Sequence, residues 1–334
     1  MKIRIKKPGI LSTIQDEGRN RFLAQAVPVS GALDQLSSRL ANKLLGNLDS
    51  DAVIEFTYGG IIFIAETNCL LALVGQGAFL KTNDIKAPAN RPIFVPKGSQ
   101  ISIENNSTGS HSYLAVAGGW NVPEVLGSKS TFLTASFGGF DGRQLQENDE
   151  LSNNHEFTLT TQIILDQLKG EKINYTNWSV SPTSFTTNKT NTIRVILGRE
   201  VDWFDESSIA EFLTKPYLLT VNCNRMGYHL EGPVLNRKGN YQEELLSTAV
   251  TPGIIQVTGN GSLILLMADC QTTGGYPRVA KVAEVDMPLC GQLKPGDILN
   301  FEPISMKQAE ILYLNQENDL RKLNHAIQFK FNII

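Results

Sequence analysis

Short runs of apolar residues recur along the chain at positions 61–65, 70–74, 91–95, 100–104, 113–117, 192–197, 254–258, 262–267 and 298–301, separated by Gly, Pro, Asn and Asp. Runs of this length, bounded by turn formers, predict strands. Their near-even spacing predicts a mainly β chain of barrels or sandwiches with a few short helices, rather than a βαβ sheet. Residues 1–6 alternate charged and apolar side chains, as a half-buried strand does. Helical spacing is clearest over residues 31–45. There Leu33, Leu36, Leu40 and Leu44 form one apolar stripe, Ser30 is placed to cap the N-terminus and Gly46 to stop the helix. Asp34, Ser38 and Asn42 recur every four residues on another side. A second helix is predicted from Ser305, where Ser305 and Gln308 make a capping box ahead of Ala309, Leu312 and Tyr313.

Between residues 151 and 191 the composition shifts to Asn, Thr and Ser, which places a boundary there. The domains expected are 1–152, a polar and partly ordered connection over 153–191, a second domain over 192–304, and a helical extension over 305–334. The two larger parts echo each other. Gly118-Gly119-Trp120 and then Leu145-x3-Asp149-x-Leu151 are matched by Gly274-Gly275-Tyr276 and then Leu293-x3-Asp297-x-Leu299. The echo predicts two related β units.

Composition removes several classes of function. With a formal net charge of −3 and no long Lys or Arg run, the chain lacks a nucleic-acid footprint or a polybasic membrane patch. Cys69, Cys223, Cys270 and Cys290 lie far apart, so reduced thiols in a cytoplasmic protein are the simplest reading. No apolar segment near the N-terminus reads as a signal peptide, and none elsewhere is long enough to span a bilayer. A Walker phosphate loop, an H-E-x-x-H helix and a G-x-S-x-G elbow are absent from the sequence, and His111, His155, His229 and His325 show no ligand spacing.

Three polar segments remain as candidate chemistry. The densest is Asp269-Cys-Gln271-Thr272-Thr273-Gly274-Gly275-Tyr276-Pro277, which follows an apolar strand. Its hydroxyls, amide and glycine-flanked backbone suit a small polar or anionic ligand, and equally suit a tight turn that satisfies itself. In Asn222-Cys-Asn-Arg225-Met-Gly-Tyr228-His229 the guanidinium fork beside an aromatic suits a carboxylate or phosphate, or an internal ion pair. The third comprises Gln15, Asp16 and Arg19 with Ser30 and Asp34 close behind, either a ligand site or a charge pair that fixes a loop.

Taken together, the motifs are more specific than any one of them. Gly9-Ile-Leu-Ser-Thr-Ile-Gln-Asp-Glu-Gly-Arg19, Val27-Pro-Val-Ser-Gly-Ala-Leu-Asp34, Leu40-Ala-Asn-Lys-Leu-Leu-Gly-Asn47 and Glu55-Phe-Thr-Tyr-Gly-Gly60 stand in order. They are followed by Tyr113-Leu-Ala-Val-Ala-Gly-Gly119, Leu126-Gly-Ser-Lys-Ser-Thr131, Arg225-Met-Gly-Tyr228, Gly253-Ile-Ile-Gln-Val257, the 269–277 run and Gln292-Leu-Lys-Pro-Gly-Asp297. Over residues 3–303 this order resembles the biotin-dependent carboxyltransferase family. Its members include the C subunit of 5-oxoprolinase, also described as the antagonist of a sporulation-kinase inhibitor, and the carboxyltransferase domain of urea carboxylase.

The resemblance implies two cyclophilin-like β-barrel domains and a heteromer with the B subunit of 5-oxoprolinase, joined by the A subunit. The complex would convert 5-oxoproline to glutamate at the expense of ATP, with Mg2+ and the nucleotide shared with a partner protein. On that reading Arg225 holds the substrate carboxylate and Asp16 or Asp269 acts as a base or helps to hold a metal. Gln15, Arg19, Ser30, Asp34, Tyr228, Gln271, Thr272, Thr273, Gly274, Gly275 and Tyr276 would line the substrate. No metal site of the chain's own is expected, and no covalent biotin, since the A-M-K-M carrier motif is missing. Two other readings stay open: the carboxyltransferase component of a urea carboxylase, and a non-enzymatic regulator that binds its B-type partner. Against the family pattern, Arg21 and Ala26 replace glycine, His111 and His229 replace arginine, and Asn224 replaces an aspartate beside Arg225.

Overall fold

A computed structural model describes residues 1–76, 78–82, 85–105, 108–186, 191–239 and 245–331. The chain divides into two compact units, neither continuous in sequence. One comprises Met1–Gly18, Asp34–Phe185 and Asn318–Ile334, and the other Arg19–Leu33 and Thr186–Glu317. The stretch 153–191, expected as a polar connection, carries a helix and a short strand of the first unit.

In chain order the first unit contains β1 (Lys2–Pro8), β2 (Ser12–Gln15), α1 (Gln35–Leu45), β3 (Val53–Thr57), β4 (Ile61–Ala65), β5 (Cys69–Gly75), β6 (Ala78–Thr82) and β7 (Ile85–Ala87). There follow β8 (Pro92–Val95), β9 (Gln100–Asn105), β10 (His111–Val116), β11 (Glu150–Ser152), α2 (Leu159–Leu168) and β12 (Asn174–Tyr175). The barrel expected of this half takes the form of two six-stranded sheets, ordered β11-β1-β4-β9-β6-β7 and β12-β8-β5-β10-β3-β2. They share one apolar core, in which Ile3, Phe63 and Ile101 of one sheet pack with Ile14, Leu73 and Leu114 of the other. The second sheet is buried on both faces because α1 lies across its β5 and β10. Hence β5 reads as a continuous apolar run and not as an alternating one.

Helix α1 starts later than its periodicity suggests. Asp34, not Ser30, is the N-cap: its carboxylate accepts from the Ser37 amide at 2.9 Å and the Ser37 hydroxyl at 2.6 Å. A carboxylate at a helix start also meets the positive end of the helix dipole, which a serine hydroxyl does not. Gly46 ends the helix with φ +74°, as expected for a left-handed C-terminal residue.

The second unit contains β13 (Thr192–Leu197), α3 (Glu206–Thr214), β14 (Tyr217–Cys223), β15 (Gly227–Glu231), β16 (Thr248–Ala249), β17 (Ile254–Val257) and β18 (Leu263–Leu266). It continues with β19 (Thr273–Gly274), β20 (Arg278–Val282), α4 (Met287–Gln292) and β21 (Ile298–Pro303). Seven strands close into a barrel, β13-β20-β17-β18-β15-β14-β21, with β21 antiparallel to β14 and parallel to β13. Its interior is filled by residues such as Ile255, Val257, Leu265, Val279 and Phe301. The last helix, α5 (Met306–Lys330), opens with the expected capping box: the Ser305 amide donates to Gln308 Oε1 at 2.8 Å, and the Gln308 amide donates to Ser305 Oγ at 3.2 Å. No helix of the described residues is long and apolar enough to cross a membrane.

The echo read from sequence is geometric. The order β11-β1-β4-β9-β6 in one unit is reproduced by β21-β14-β15-β18-β17 in the other, with every neighbouring pair antiparallel. The leucine–aspartate segments make the same turn. The Gln146 amide donates to Asp149 Oδ2 at 2.7 Å and the Lys294 amide to Asp297 Oδ2 at 3.0 Å. Asn148 and Gly296, just before each aspartate, are both left-handed, at φ 71° and 91°. Each turn then exchanges a pair of backbone bonds with a strand of its own unit, β1 through Ile5 with Asn148 and Asp149, and β14 through Leu219 with Gly296 and Asp297.

Ala26 sits at φ 61°, in the left-handed region at the end of a short 3-10 turn. That backbone explains why glycine suits the position, since an L-residue with a Cβ is strained there by about 1–2 kcal/mol. Ala26→Gly is therefore expected to stabilise the protein by about 1 kcal/mol, less what a more flexible unfolded chain takes back. Chemical denaturation of both forms measures it.

Acid is expected to weaken both units. Burial raises the Asp149 carboxyl, but hydrogen bonds from Arg143 and the Gln146 amide outweigh it and hold the group below its ordinary 3.8. Burial likewise raises Glu200, and its bonds with Arg278 bring it below 4.5. A lowered folded-state pKa gives stability that is present above the unfolded value and lost as pH falls through the folded one. Melting temperature should then hold steady down to about pH 5 and fall increasingly below pH 4.

Candidate functional site

In the second unit, β18 ends and the chain turns through the densest of the candidate loops. Residues 271–276 are held by backbone bonds at their middle, where Thr272 O accepts from the Val250 amide at 3.0 Å and β19 pairs with β16. Gln271, Thr273 and Tyr276 are exposed, whereas the Thr272 side chain is turned inward. Gly275 and Tyr276 line a cavity of about 710 Å³ with Asn236, Arg237, Ser247, Thr258 and Asn260. The two Gly-Gly-aromatic motifs thus diverge: Trp120 is fully buried and donates Nε1–H to Leu114 O at 2.9 Å, while Tyr276 is 45% exposed at a cavity rim.

The Arg225 fork is spent inside the protein. Its Nε donates to Asp269 Oδ2 at 2.8 Å, and its Nη2 donates to Asp269 Oδ1 at 3.2 Å and to Gly31 O at 2.6 Å. Both side chains are more than nine-tenths buried. In this arrangement Arg225 and Asp269 each supply what the other needs. Asn224, in place of the family's aspartate, has no part in this pair. Its Oδ1 accepts from the Met226 and Gly227 amides at 2.8 and 3.3 Å and shapes the β14–β15 turn. Tyr228, expected beside a substrate, packs in the barrel core.

The Arg225–Asp269 pair instead ties together the segments around the loop. The Asp269 amide donates to Arg225 O at 2.8 Å, and the Ser30 amide donates to Ala268 O at 2.9 Å. Ser30 is left-handed at φ 57°, and its buried Oγ has no hydrogen-bond partner. A strained backbone that carries an unsatisfied hydroxyl is a feature that functional sites retain. Arg19 is buried nearby in sequence, its amide bonded to Val29 O at 2.6 Å.

A separate polar centre lies in the first unit. Asp16 Oδ1 accepts from the Gly18 amide at 2.8 Å, from Ser128 Oγ at 2.6 Å and from Ser130 Oγ, while Oδ2 accepts from the Lys129 amide at 2.5 Å. A carboxylate offers about four lone-pair sites, and at Asp16 four donors of this chain take them up and hold the 128–130 loop. Serines and backbone amides, not an arginine, are the donors seen at Asp16. Gln15, fully buried, donates Nε2–H to Thr13 Oγ1 at 3.0 Å and to Thr131 O at 3.2 Å, and its Oε1 has no partner.

Sequence reasoning missed two residues that organise this centre. Tyr113 Oη donates to Glu55 Oε2 at 2.9 Å and accepts from the Asp34 amide at 2.7 Å. Burial, reinforced by the Glu55 and Asp34 charges, pushes the phenol well above its ordinary pKa, so it stays a neutral donor. Glu55 pairs across the sheet with Thr13 on one side and Tyr113 on the other. The signal was a glutamate set within an otherwise apolar strand. In the second unit the missed residue is Gln256, a buried amide in the apolar strand β17.

The family model for the carboxyltransferase domain, subdomain A and B, matches residues 25–303. The chain belongs to this family. Among curated relatives of this carboxyltransferase-family chain, the C subunit of 5-oxoprolinase from Escherichia coli is 34% identical over 92% of this chain and 93% of its own length. The protein of the same name in Haemophilus influenzae is 30% identical over 96% of both chains. Urea amidolyase of Lachancea kluyveri is 32% identical over 96% of this chain but only 18% of its own. Among solved structures, Kluyveromyces lactis urea carboxylase superposes with a TM-score of 0.86 at 28% identity, over 96% of this chain and 29% of that one.

Proposed function

We propose that this chain is the C subunit of an ATP-dependent 5-oxoprolinase and acts in a heteromer with the A and B subunits. The observation that carries the reading is the match to the Escherichia coli 5-oxoprolinase C subunit, which runs through nine-tenths of both chains. The site chemistry is compatible with it. A lactam resists water because its nitrogen lone pair is delocalised into the carbonyl, and opening the ring requires donors aimed at the carbonyl oxygen. The Ser30 hydroxyl and the exposed Gln271, Thr273 and Tyr276 side chains are neutral donors and acceptors suited to a cyclic amide bearing a carboxylate.

ATP with Mg2+ is assigned to the assembled complex. The described residues contain no cluster of three His, Cys, Asp or Glu side chains that would hold a metal ion. The carboxylates of Asp16, Asp34 and Asp269 are each engaged by donors of this chain. With these carboxylates so engaged, partner residues would complete a metal–nucleotide site.

A second reading, a carboxyltransferase that moves a carboxyl group from carboxybiotin to urea, is favoured by the structural match to urea carboxylase. The two separate by substrate. The chain mixed with homologues of the A and B subunits is expected to hydrolyse ATP when 5-oxoproline is added and to remain at background with urea. Stimulation by urea alone would reverse the assignment.

A further inference from the structure

The exposed side chains of the 271–276 loop stand on a short segment with two turns, and such a segment binds well only if something fixes both of its ends. Gln256 does this from below. It is 1% exposed, on β17 of the barrel wall. Its Nε2 donates to Tyr276 O at 3.2 Å, and its Oε1 accepts from Gln271 Nε2 at 3.4 Å. One buried amide therefore spans the first and last residues of the loop. The loop's middle lies directly on it, since a Cβ at Gly274 would stand 2.6 Å from Gln256 Nε2. A side chain at 274 would therefore have to push the Gln256 amide aside, so Gly274 and Gln256 pack as one pair. A second tether lies just beyond, where Arg278 Nη1 donates to Ala249 O at 3.2 Å and its Nε and Nη2 bond the Glu200 carboxylate at 2.8 and 2.6 Å. It secures β16, the strand that pairs with the loop.

We propose that Gln256 is the positioning residue of the 271–276 loop, holding Gln271 and Tyr276 in a fixed relation in the space that Gly274 leaves for its amide. Its effect on the reaction rests on the reading that this loop meets the substrate; its effect on the loop does not. The amide is neutral and faces one acceptor and one donor, so no charged or apolar residue replaces both bonds. Gln256→Glu keeps the acceptor for Gln271 but sets a carboxylate against the Tyr276 carbonyl. Gln256→Met keeps the length and loses both bonds.

The test uses the assembled complex and two readouts, hydrogen exchange of the 271–276 amides and steady-state kinetics with 5-oxoproline. Gln256→Met is expected to speed exchange in the loop while β17 and β18 exchange as in wild type, and to lower kcat/KM about tenfold, the scale set by one or two lost hydrogen bonds. Gly274→Ala is expected to do the same. Combining Gly274→Ala with Gln256→Ser should be no more impaired than the worse of the two single variants, because both act through the same amide, an outcome a purely additive effect would not produce. Wild-type loop exchange in Gln256→Met, or a combined variant as impaired as the sum of its parts, would overturn the proposal. Should Gln256→Met fail to fold, Gly274→Ala and the combined variant still decide it. Faster exchange with wild-type kinetics would uphold the strut and remove the loop from the reaction.

Discussion

Asp269→Asn and Arg225→Lys are each expected to destabilise the protein by about 3–5 kcal/mol, because each leaves a buried partner without its counter-charge or its second bond. For a unit of this size that is a fall in melting temperature of roughly 10 °C. The pair is buried and bidentate, and Arg225 also reaches Gly31 O. Lysine keeps the charge but has no planar fork to serve Asp269 and Gly31 together. Any fraction that stays folded should retain near-normal KM. Unchanged melting with a large rise in KM would mean that Arg225 holds substrate after all, and that the carboxylate of Asp269 stands in for it until substrate arrives.

The second large effect is expected at Asp16. Asp16→Ala removes the acceptor of two hydroxyls and two amides in one step. The Lys129 amide and the two serines would lose a charged partner, and hydrogen bonds to charged groups are worth about 1.5–3 kcal/mol each before water and rearrangement recover part of the loss. A net destabilisation of about 3 kcal/mol is expected, with catalysis altered only as far as the 128–130 loop relaxes. A base role would give the opposite split, with turnover lost and the thermal melt unchanged. Asp16→Asn, which keeps the size and one acceptor oxygen, should fall between wild type and Asp16→Ala in stability.

Both effects lie at residues whose type marks them in the sequence as chemically loaded and suggests working groups. Residue type alone cannot show where a charge is spent. Arg225 and Asp269 are 44 positions apart, and only the barrel brings the end of β14 next to the end of β18. Asp16 meets Ser128 and Ser130 across more than a hundred residues. Local patterns fared better. The strand runs, the Ser305 capping box, Gly46 as a helix stop and the internal echo all depend on near neighbours or on a repeated motif, and the fold reproduces each of them. The start of α1 departs from its pattern because Ser30 and Asp34 are both good caps by composition. Burial of Ser30 against the Ala268 carbonyl, and the Tyr113 hydroxyl beneath Asp34, decide between them.

Gln256 and Tyr113 were illegible for a related reason. Gln256 is one polar group inside an apolar strand, and Tyr113 counts as one more apolar position of its own, so sequence pattern singles out neither. The meaning of each appears only when the groups it faces are known: Tyr276 and Gln271 for one, Glu55 and the Asp34 amide for the other.

The most direct measurement of the proposed function is glutamate release from 5-oxoproline by this chain mixed with homologues of the A and B subunits, with and without ATP and with each protein omitted in turn. The reading expects glutamate only with ATP and only when this chain is present. Glutamate formed at the full rate in its absence, or none with all three present while urea is carboxylated from carboxybiotin, would contradict it.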